Sequence, residues 1–378
     1  MGKKVYYIGW YIADEDRERF SGNVPGNLKM HYVVDQLKKS GNTPVIISFA
    51  RKNDKSGLYI TQISSSQGCS LRYIGGVAGN GRVLKRLDIL LKELLLILMF
   101  LFKFREEDTI VLYHSVSITR LVAKLRKIVK RHVILEVEEI YGYAAVGDRP
   151  WVKKEIETVK VMDAHICVND GMLHMLSLKP EKFVANYGVG VFPERRSQRF
   201  SDGKVHVVYA GTIEMKKLGA LTAVESAAFF PENYILHILG FGTDENMNKL
   251  KEKINDVNSK AGCVKVEYNG YKSGPELDDF LFSCHIGLSS NVMRPNFANN
   301  TFPSKVITYM CHDLSVVLGY AEAFYDVPIS QGWSFYHEFK PEKIAEAVAS
   351  VEIKPIGYYQ KYINQMNDDL QSFLKKNC

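Results

Sequence analysis

The chain has 378 residues, 46% hydrophobic and 24% charged, with a formal net charge of +7. That length exceeds what one hydrophobic core usually organises, so two domains are expected, and the composition excludes a disordered or low-complexity chain. Six scattered cysteines (Cys69, Cys167, Cys263, Cys284, Cys311, Cys378) form no C-x-x-C pair, which argues for reduced thiols in a cytoplasmic protein and against a disulfide frame or zinc site.

The amino terminus, MGKKVYYIGWYIADED, runs directly into a strand-like segment and then into acids. It lacks the long apolar stretch and small-residue cleavage site of a signal peptide, and Tyr6 stands where a myristoylation signal needs Ser or Thr. Residues 1–190 hold 29 Lys and Arg against 20 Asp and Glu, whereas the remainder holds 20 against 22. Positive charge concentrated in the first half predicts an anionic surface as a partner of that half.

Short β-branched runs alternate with amphipathic stretches, the pattern of parallel sheets wrapped by helices. In the first half KVYYIGW, TPVIISFA, DTIVLYH, HVILEVEE and AHICVND read as buried strands. NLKMHYVVDQLKKSG and ITRLVAKLRKIVKR read as helices, the first of them entered through the Gly/Pro/Asn turn FSGNVPGNLKM. The segment RVLKRLDILLKELLLILMFLFKFREED has no acid or base across the nine residues from Leu94 to Phe102. That is too short for a bilayer core, which needs about 20 residues. Flanked by Lys85, Arg86, Lys92, Lys103 and Arg105, such a helix either lies in a lipid interface or is buried in the first core. Arg120, Lys124, Lys127 and Arg131 recur at helical spacing as a second basic stripe, each charge contributing roughly 1 kcal/mol near an anionic leaflet.

The polar stretch GVFPERRSQRFSDG then predicts a linker at 191–204, between a first domain at 1–190 and a second at 205–352. In the second half KVHVVYAG, YILHILGFG, VKVEYNG, HIGLSS and LSVVLG read as strands, and LGALTAVESAAFF, ENMNKLKEKINDVN, GPELDDFLFSC and SKVITYMC as helices. The tail at 353–378 reads as one last amphipathic helix, too short for a domain and expected to return to the first one. The expected fold class is α/β, two Rossmann-like doubly wound domains facing across a cleft where ligands of such sheets bind.

One detail points to chemistry. In NNTFPSKVITYM, residues 299–310, a lysine stands in the first turn of an apolar helix. The positive end of the helix dipole disfavours a cation there by a few tenths to about 1 kcal/mol. An anion bound at that helix end would make the lysine welcome.

In order and spacing, these segments resemble the GT-B glycosyltransferases, specifically the retaining group called family 4, over nearly the whole chain and most strongly from 205 to 320. VVYAGTIEMKKLGALTAVESA is similar to the strand, glycine and lysine segment that opens that family's donor domain, and YILHILGFGTDE to its next strand and Gly-x-Gly turn. VEYNGYKSGPELDDFLFSCHIGLSSN resembles the segment that ends near the nucleobase. FPSKVITYMCHDLSVVLG resembles the diphosphate-binding helix and following strand, in the FPSK variety of bacterial polysaccharide enzymes. The resemblance implies transfer of a sugar from a nucleotide-sugar donor to a polyprenyl-linked or oligosaccharide acceptor in surface polysaccharide biosynthesis. It further implies retention of configuration, no metal or other cofactor, and a cytoplasmic protein peripheral on the inner face of an anionic membrane. Nucleic acid is not an expected partner, because the basic residues share their helices with long aliphatic runs.

Carried over residue by residue, Lys217 and Lys305 would stabilise the leaving diphosphate, most strongly in the transition state. The family's arginine before the first lysine is Thr212 here, and Lys216 or Arg294 would supply the missing charge. Gly211, Gly240 and Gly242 would admit the ligand close to the backbone. Tyr271, Thr301, Phe302, Pro303 and Ser304 complete the donor side. Two glutamates usual in the family are replaced by Asn300 and Thr308, which form hydrogen bonds but carry no charge. The alternative reading is therefore a catalytically inactive GT-B-like partner subunit or scaffold. On the acceptor side, Gly22 and Gly26 resemble the family's glycine loop. Glu138 and Glu139, after the strand HVILEV, compete with His114, at the end of TIVLYH, to accept or orient the acceptor hydroxyl's proton. Asp14, Glu15 and Asp16 have the form of a metal motif, but within DEDRER a solvated loop is expected. GFGTDE lacks the third glycine of a dinucleotide fingerprint.

Overall fold

The runs that read as strands are buried along nearly their whole length, as strands of a parallel sheet covered on both faces must be. The computed structural model describes residues 2–22, 24–53, 56–144, 150–214, 218–290 and 300–378. They form two compact units, Met1–Asn186 with Asn367–Cys378, and Tyr187–Met366. Each is a layered α/β unit on one large sheet, of eight strands in the first and six in the second, which is the fold class the sequence predicts. All six cysteines carry free thiols.

The first sheet runs Phe183–Ala185, Ala164–Cys167, His132–Val137, Thr109–Tyr113, Lys4–Gly9, Thr43–Ser48, Cys69–Tyr73, Gln62–Ser66. Neighbours are parallel except the last pair, a hairpin turned by Gln67 and Gly68 at φ 51° and 73°. The terminal helix Gln360–Asn377 joins this unit over its last half. Asn367 accepts from the Tyr32 hydroxyl at 2.6 Å, Gln371 donates to Gln36 at 2.9 Å, and Asn377 accepts from Lys182 at 3.0 Å. Residues 191–204 carry neither helix nor strand. They are held to the second unit by Arg195, 2.9 Å from Asp313, and by Arg199, which donates to the carbonyls of Asp313 and Lys354 at 2.6 and 3.0 Å.

Helix Arg82–Leu98, continued by a π-helical turn at Met99–Lys103, buries the charged Asp88 and Lys92 and turns most of its leucines outward. Asp88 and Lys92 are 3% and 2% exposed, whereas Leu90 and Phe102 are 60% and 81% exposed. The Lys92 ammonium sits 3.0 Å from Asp88 and donates to the Phe49 and Ala50 carbonyls, each at 3.0 Å, so all three of its donors are used. Asp88 also accepts from the Val77 N–H at 2.8 Å and faces Arg51 at 3.7 Å. The close approach needs a glycine at 76, where a Cβ would overlap the Asp88 carboxylate. Burial lowers the Lys92 pKa, and the carboxylate beside it opposes that fall.

Helix Val116–Leu125 is shorter than predicted, which breaks the expected basic stripe. Arg120 and Lys124 lie on it, but Lys127 is in the following turn, and Arg131 donates to the Phe100 carbonyl at 3.2 Å. Asp14–Asp16 form a short 3-10 turn in which Asp14 pairs with Arg17 at 2.8 Å and Asp16 with Arg19 at 2.7 Å; Asp16 is buried, not solvated as expected. Among the described residues no three His, Cys, Asp or Glu side chains are grouped to hold a metal, and no helix is long and apolar enough to cross a membrane.

Strand His132–Val137 buries Glu136 completely, and its carboxyl accepts the Tyr7 hydroxyl at 2.7 Å. Burial first, and then the charge of Glu138, push its pKa up from 4.5 to about 8.

Two outcomes follow for stability. Lys92→Ala leaves Asp88 buried with one cation fewer and should cost on the order of 3 kcal/mol, read as a lower urea midpoint. Replacing both residues by leucine should recover part of that loss, and an unchanged midpoint for Lys92→Ala would refute the pair's role. Glu136 binds its proton more tightly folded than unfolded, so its stabilising contribution is full below about 4.5 and is lost as pH rises through about 8. Stability measured across that window should fall by on the order of a few kcal/mol, and Glu136→Gln should flatten the fall.

Candidate functional site

The second sheet runs Val266–Tyr268, Tyr234–Leu239, Val205–Ala210, Ile286–Ser289, Ser315–Gly319, Ser334–Tyr336, with every pair parallel. The chain starts in the middle at Val205–Ala210, builds to one side, then returns to build on the other. Such a reversal leaves a crevice outside the carboxyl ends of the strands where it occurs, here Val205–Ala210 and Ile286–Ser289.

Helix Lys305–Cys311 is fastened to those two strands by Tyr309. The ring lies on Gly287, where a Cβ would overlap it. Its hydroxyl accepts from the Ala210 N–H at 2.9 Å and donates to the Leu288 carbonyl at 3.3 Å. Before the helix, Phe302 is 7% exposed and its ring meets Tyr187, Phe324 and Trp333 at centroid distances of 5.2, 5.5 and 5.9 Å. It therefore anchors the loop in the core, whereas the sequence predicts it on the donor side.

Lys305 is half-buried at the head of this helix. Its ammonium stands 4.0 Å from the centroid of the Tyr209 ring and 3.1 Å from where a Gly211 side chain would begin. A cation over a tyrosine face gains about 0.5–1 kcal/mol or more. That offsets the helix-dipole penalty and gives the lysine a resident partner at the carboxyl end of the central strand.

The glycines predicted to admit a ligand divide into two kinds. Gly211 faces the ammonium. Gly240, at φ 146°, has no room for a Cβ because it would overlap the Gly211 carbonyl, and a Cβ on Gly242 would lie 2.5 Å from the Ile213 carbonyl oxygen. These two glycines admit the neighbouring backbone instead. The N–H groups of Gly211, Ile213 and Gly240 donate to the carbonyls of Leu239, Phe241 and Gly270 at 3.0, 2.8 and 3.0 Å, lacing three strand ends together.

Around this frame Thr212 and Ser304 are exposed, Thr301, Pro303 and Thr308 half-buried, and Asn300 buried. Ser304 makes no side-chain cap. Tyr271 is 61% exposed and stands edge-on to Phe241, itself 57% exposed, with centroids 5.2 Å apart. Phe241 is not among the residues predicted from the sequence, although its place between the glycines of GFG marks it. Lys216, Lys217 and Arg294 lie outside the described residues.

In the first unit Glu138 follows strand His132–Val137 with its side chain 28% exposed, and Glu139 beside it is half-buried. Lys29, from helix Val24–Lys39, reaches to 3.6 Å from Glu138. It donates to the Asn186 carbonyl at 2.7 Å and also to that residue's side-chain oxygen. Lys29 is absent from the sequence-predicted set, yet it lies four residues before Val33, on the stripe that the helix buries. His114 is 2% exposed, with Nδ1 2.9 Å from the Thr119 hydroxyl and Nε2 2.9 Å from Glu155. Glu155 in turn accepts from the Tyr141 and Gly142 N–H groups at 2.9 Å. Both ring nitrogens are engaged in holding that loop, whereas Glu138 and Glu139 are each partly exposed. Gly22 lies against Ile12, 2.9 Å from where its Cβ would be, and Gly26 is buried in the first turn of a helix that starts earlier than predicted. Asn27 fixes the loop above them through the Ile12 backbone, at 2.8 and 2.9 Å.

No protein-family model and no curated protein matches the chain by sequence. Solved structures match it in fold. An α,α-trehalose-phosphate synthase (UDP-forming) from Burkholderia xenovorans, in complex with glucose-6-phosphate, aligns with a TM-score of 0.69 at 12% identity, over 100% of this chain and 98% of that one. A trehalose-6-phosphate structure from E. coli, bound with UDP-2-fluoro glucose, gives 0.66 at 8% identity, over 100% and 96%. The lipopolysaccharide outer core galactosyltransferase WaaB, in its apo form, gives 0.64 at 11% identity, over 99% and 97%. The similarity spans the chain from end to end, and its fold is that of the GT-B glycosyltransferases.

Proposed function

We propose that the chain is a glycosyltransferase whose second unit binds a nucleotide-sugar donor and whose first unit binds the acceptor. The observation that carries this reading is the Lys305 ammonium, held by Tyr209 beside Gly211 at the carboxyl end of the central parallel strand. A diphosphate at that spot gains a preorganised cation, and the gain is largest when negative charge grows on the leaving phosphate. Lys217, with Lys216 or Arg294, would add charge to the same group, so the reaction needs no metal. The exposed rings of Phe241 and Tyr271 offer apolar faces for a nucleobase. The fold neighbours that hold UDP-2-fluoro glucose and glucose-6-phosphate support a sugar nucleotide as donor and a sugar-bearing acceptor.

In the reaction the bond from the sugar's anomeric carbon to the diphosphate oxygen breaks, and a bond to the acceptor hydroxyl oxygen forms on the same face, retaining configuration. Glu138, oriented by Lys29, accepts or orders the hydroxyl proton. The acceptor class is a polyprenyl-linked or oligosaccharide substrate of surface polysaccharide biosynthesis, met at the cytoplasmic side of an anionic membrane. One observation favours a second reading, an inactive partner subunit: the neutral Asn300 and Thr308 stand where the resembled family carries glutamates.

Lys305→Ala should weaken UDP binding by about 1.5–3 kcal/mol, roughly 10- to 150-fold by calorimetry, while the folded spectrum is kept. Unchanged affinity would remove the donor site from this place. Glu138→Gln should lower kcat by about 100-fold or more and leave UDP affinity alone. Binding of sugar nucleotides without transfer or slow hydrolysis by the parent chain would favour the inactive subunit.

A further inference from the structure

The leucine face of helix Arg82–Leu98 is an exposed apolar feature of the first unit that the donor and acceptor sites leave unused. Val83, Leu87, Leu90, Leu94, Leu98 and Phe102 are between 42% and 81% exposed and recur every three to four residues, so they line one side of the helix. In the same unit Leu58, Ile60 and Ile63, on strands Ser56–Tyr59 and Gln62–Ser66 and the link between them, are 82%, 85% and 76% exposed. A groove of about 370 Å³, lined by Thr61, Arg72, Leu95, Leu98 and Phe102 among others, joins helix to strands. Folded soluble monomers rarely leave contiguous apolar patches of more than a few hundred Å² in water. Nor can this helix roll over to hide its leucines, because Asp88 and Lys92 are locked into the opposite side.

We propose that this face docks the first unit onto an anionic lipid bilayer, with the helix lying in the plane of the headgroup–acyl boundary. Charge selects the occupant. Arg82, Lys85 and Arg86 are exposed at one end of the ridge, and Lys103 and Arg105 stand at the other. Glu93 is the acid alongside the ridge, and Glu106 and Glu107 come only after Arg105. An apolar middle with cationic ends fits a boundary where acyl chains are rimmed by anionic headgroups. Breadth selects it too. A partner helix needs one narrow seam, whereas here the helix face runs into a groove shared with strands Thr43–Ser48 and Cys69–Tyr73. The inference deepens the acceptor half of the function proposed above and rests on it only for the acceptor's location, because docking requires no transfer activity.

Sedimentation with vesicles tests the surface on the full chain. It should pellet with phosphatidylcholine vesicles containing phosphatidylglycerol and less with phosphatidylcholine alone, and added salt should weaken the binding without abolishing it. Leu90→Asp with Leu94→Asp should reduce vesicle binding about tenfold or more, since two charges replace buried apolar surface. Phe102→Asp should act in the same direction from the far end of the ridge. All three positions face solvent, so circular dichroism and UDP binding should match the parent. No pelleting of the parent, or equal pelleting of parent and variants, overturns the proposal. A parent dimer that the aspartate variants dissolve also overturns it, and assigns the face to a second copy of the chain. Reading UDP affinity on the same samples separates failure of this surface from failure of the donor site.

Discussion

A cation at the head of an apolar helix is held there against the helix dipole, and the second unit is arranged around that constraint. Tyr209 offers its ring to the Lys305 ammonium, and Tyr309, one turn further along the same helix, bonds to the backbone of Ala210. Residues 209–211 and 305–309 are thus fixed to each other at both ends of one short contact. Gly211 leaves room for the ammonium beside the backbone, while Gly240 and Gly242 let the next loop support the Gly211 turn from behind. The position of that charge is thus set by the fold itself, which is what the proposed donor site would use.

The first unit shows a different economy. It buries Asp88 with Lys92, Glu136 with Tyr7, and Lys29 with Asn186, each through hydrogen bonds that a hydrophobic core would not need. Buried ionic groups of this kind add little net stability against an apolar alternative. Their effect here is positional. Lys92 fixes the rotation of a helix, and Lys29 sets the surroundings of Glu138.

Much of this architecture was legible in the sequence, and the exceptions have physical causes. Strands such as Val205–Ala210 and His132–Val137 are covered on both faces, so they read as unbroken apolar runs. The hairpin Gln62–Ser66 with Cys69–Tyr73 lies at a sheet edge, and the serines of QISSSQGCSLRY hide its alternation. Strand Ser334–Tyr336 and helix Pro341–Ser350 are not among the expected elements either, the strand because three residues carry no usable period. For helix Arg82–Leu98 periodicity defines an apolar face but not its direction, which depends on Phe49, Ala50 and Val77, distant in sequence. In the candidate site, the FPSK segment and Gly211 could be read from local signals. For Lys29 and Phe241 the local signals, a place on a buried stripe and a place between two glycines, give no role, since each takes its meaning from a neighbour on another element. For Phe302 motif position predicts the donor side but does not reveal which way the side chain points, and the ring lies in the core.

The contact between Tyr309 and Gly287 has a consequence for how such a protein could diversify. Ring rests on main chain with no other side chain between them, so the seating of the helix on the strand ends depends on Gly287 and Tyr309 themselves, and substitution of either would shift it. Variation would be carried more easily by the rim, at positions such as Thr212, Phe241 and Tyr271, whose exposed side chains can be exchanged without shifting the pivot.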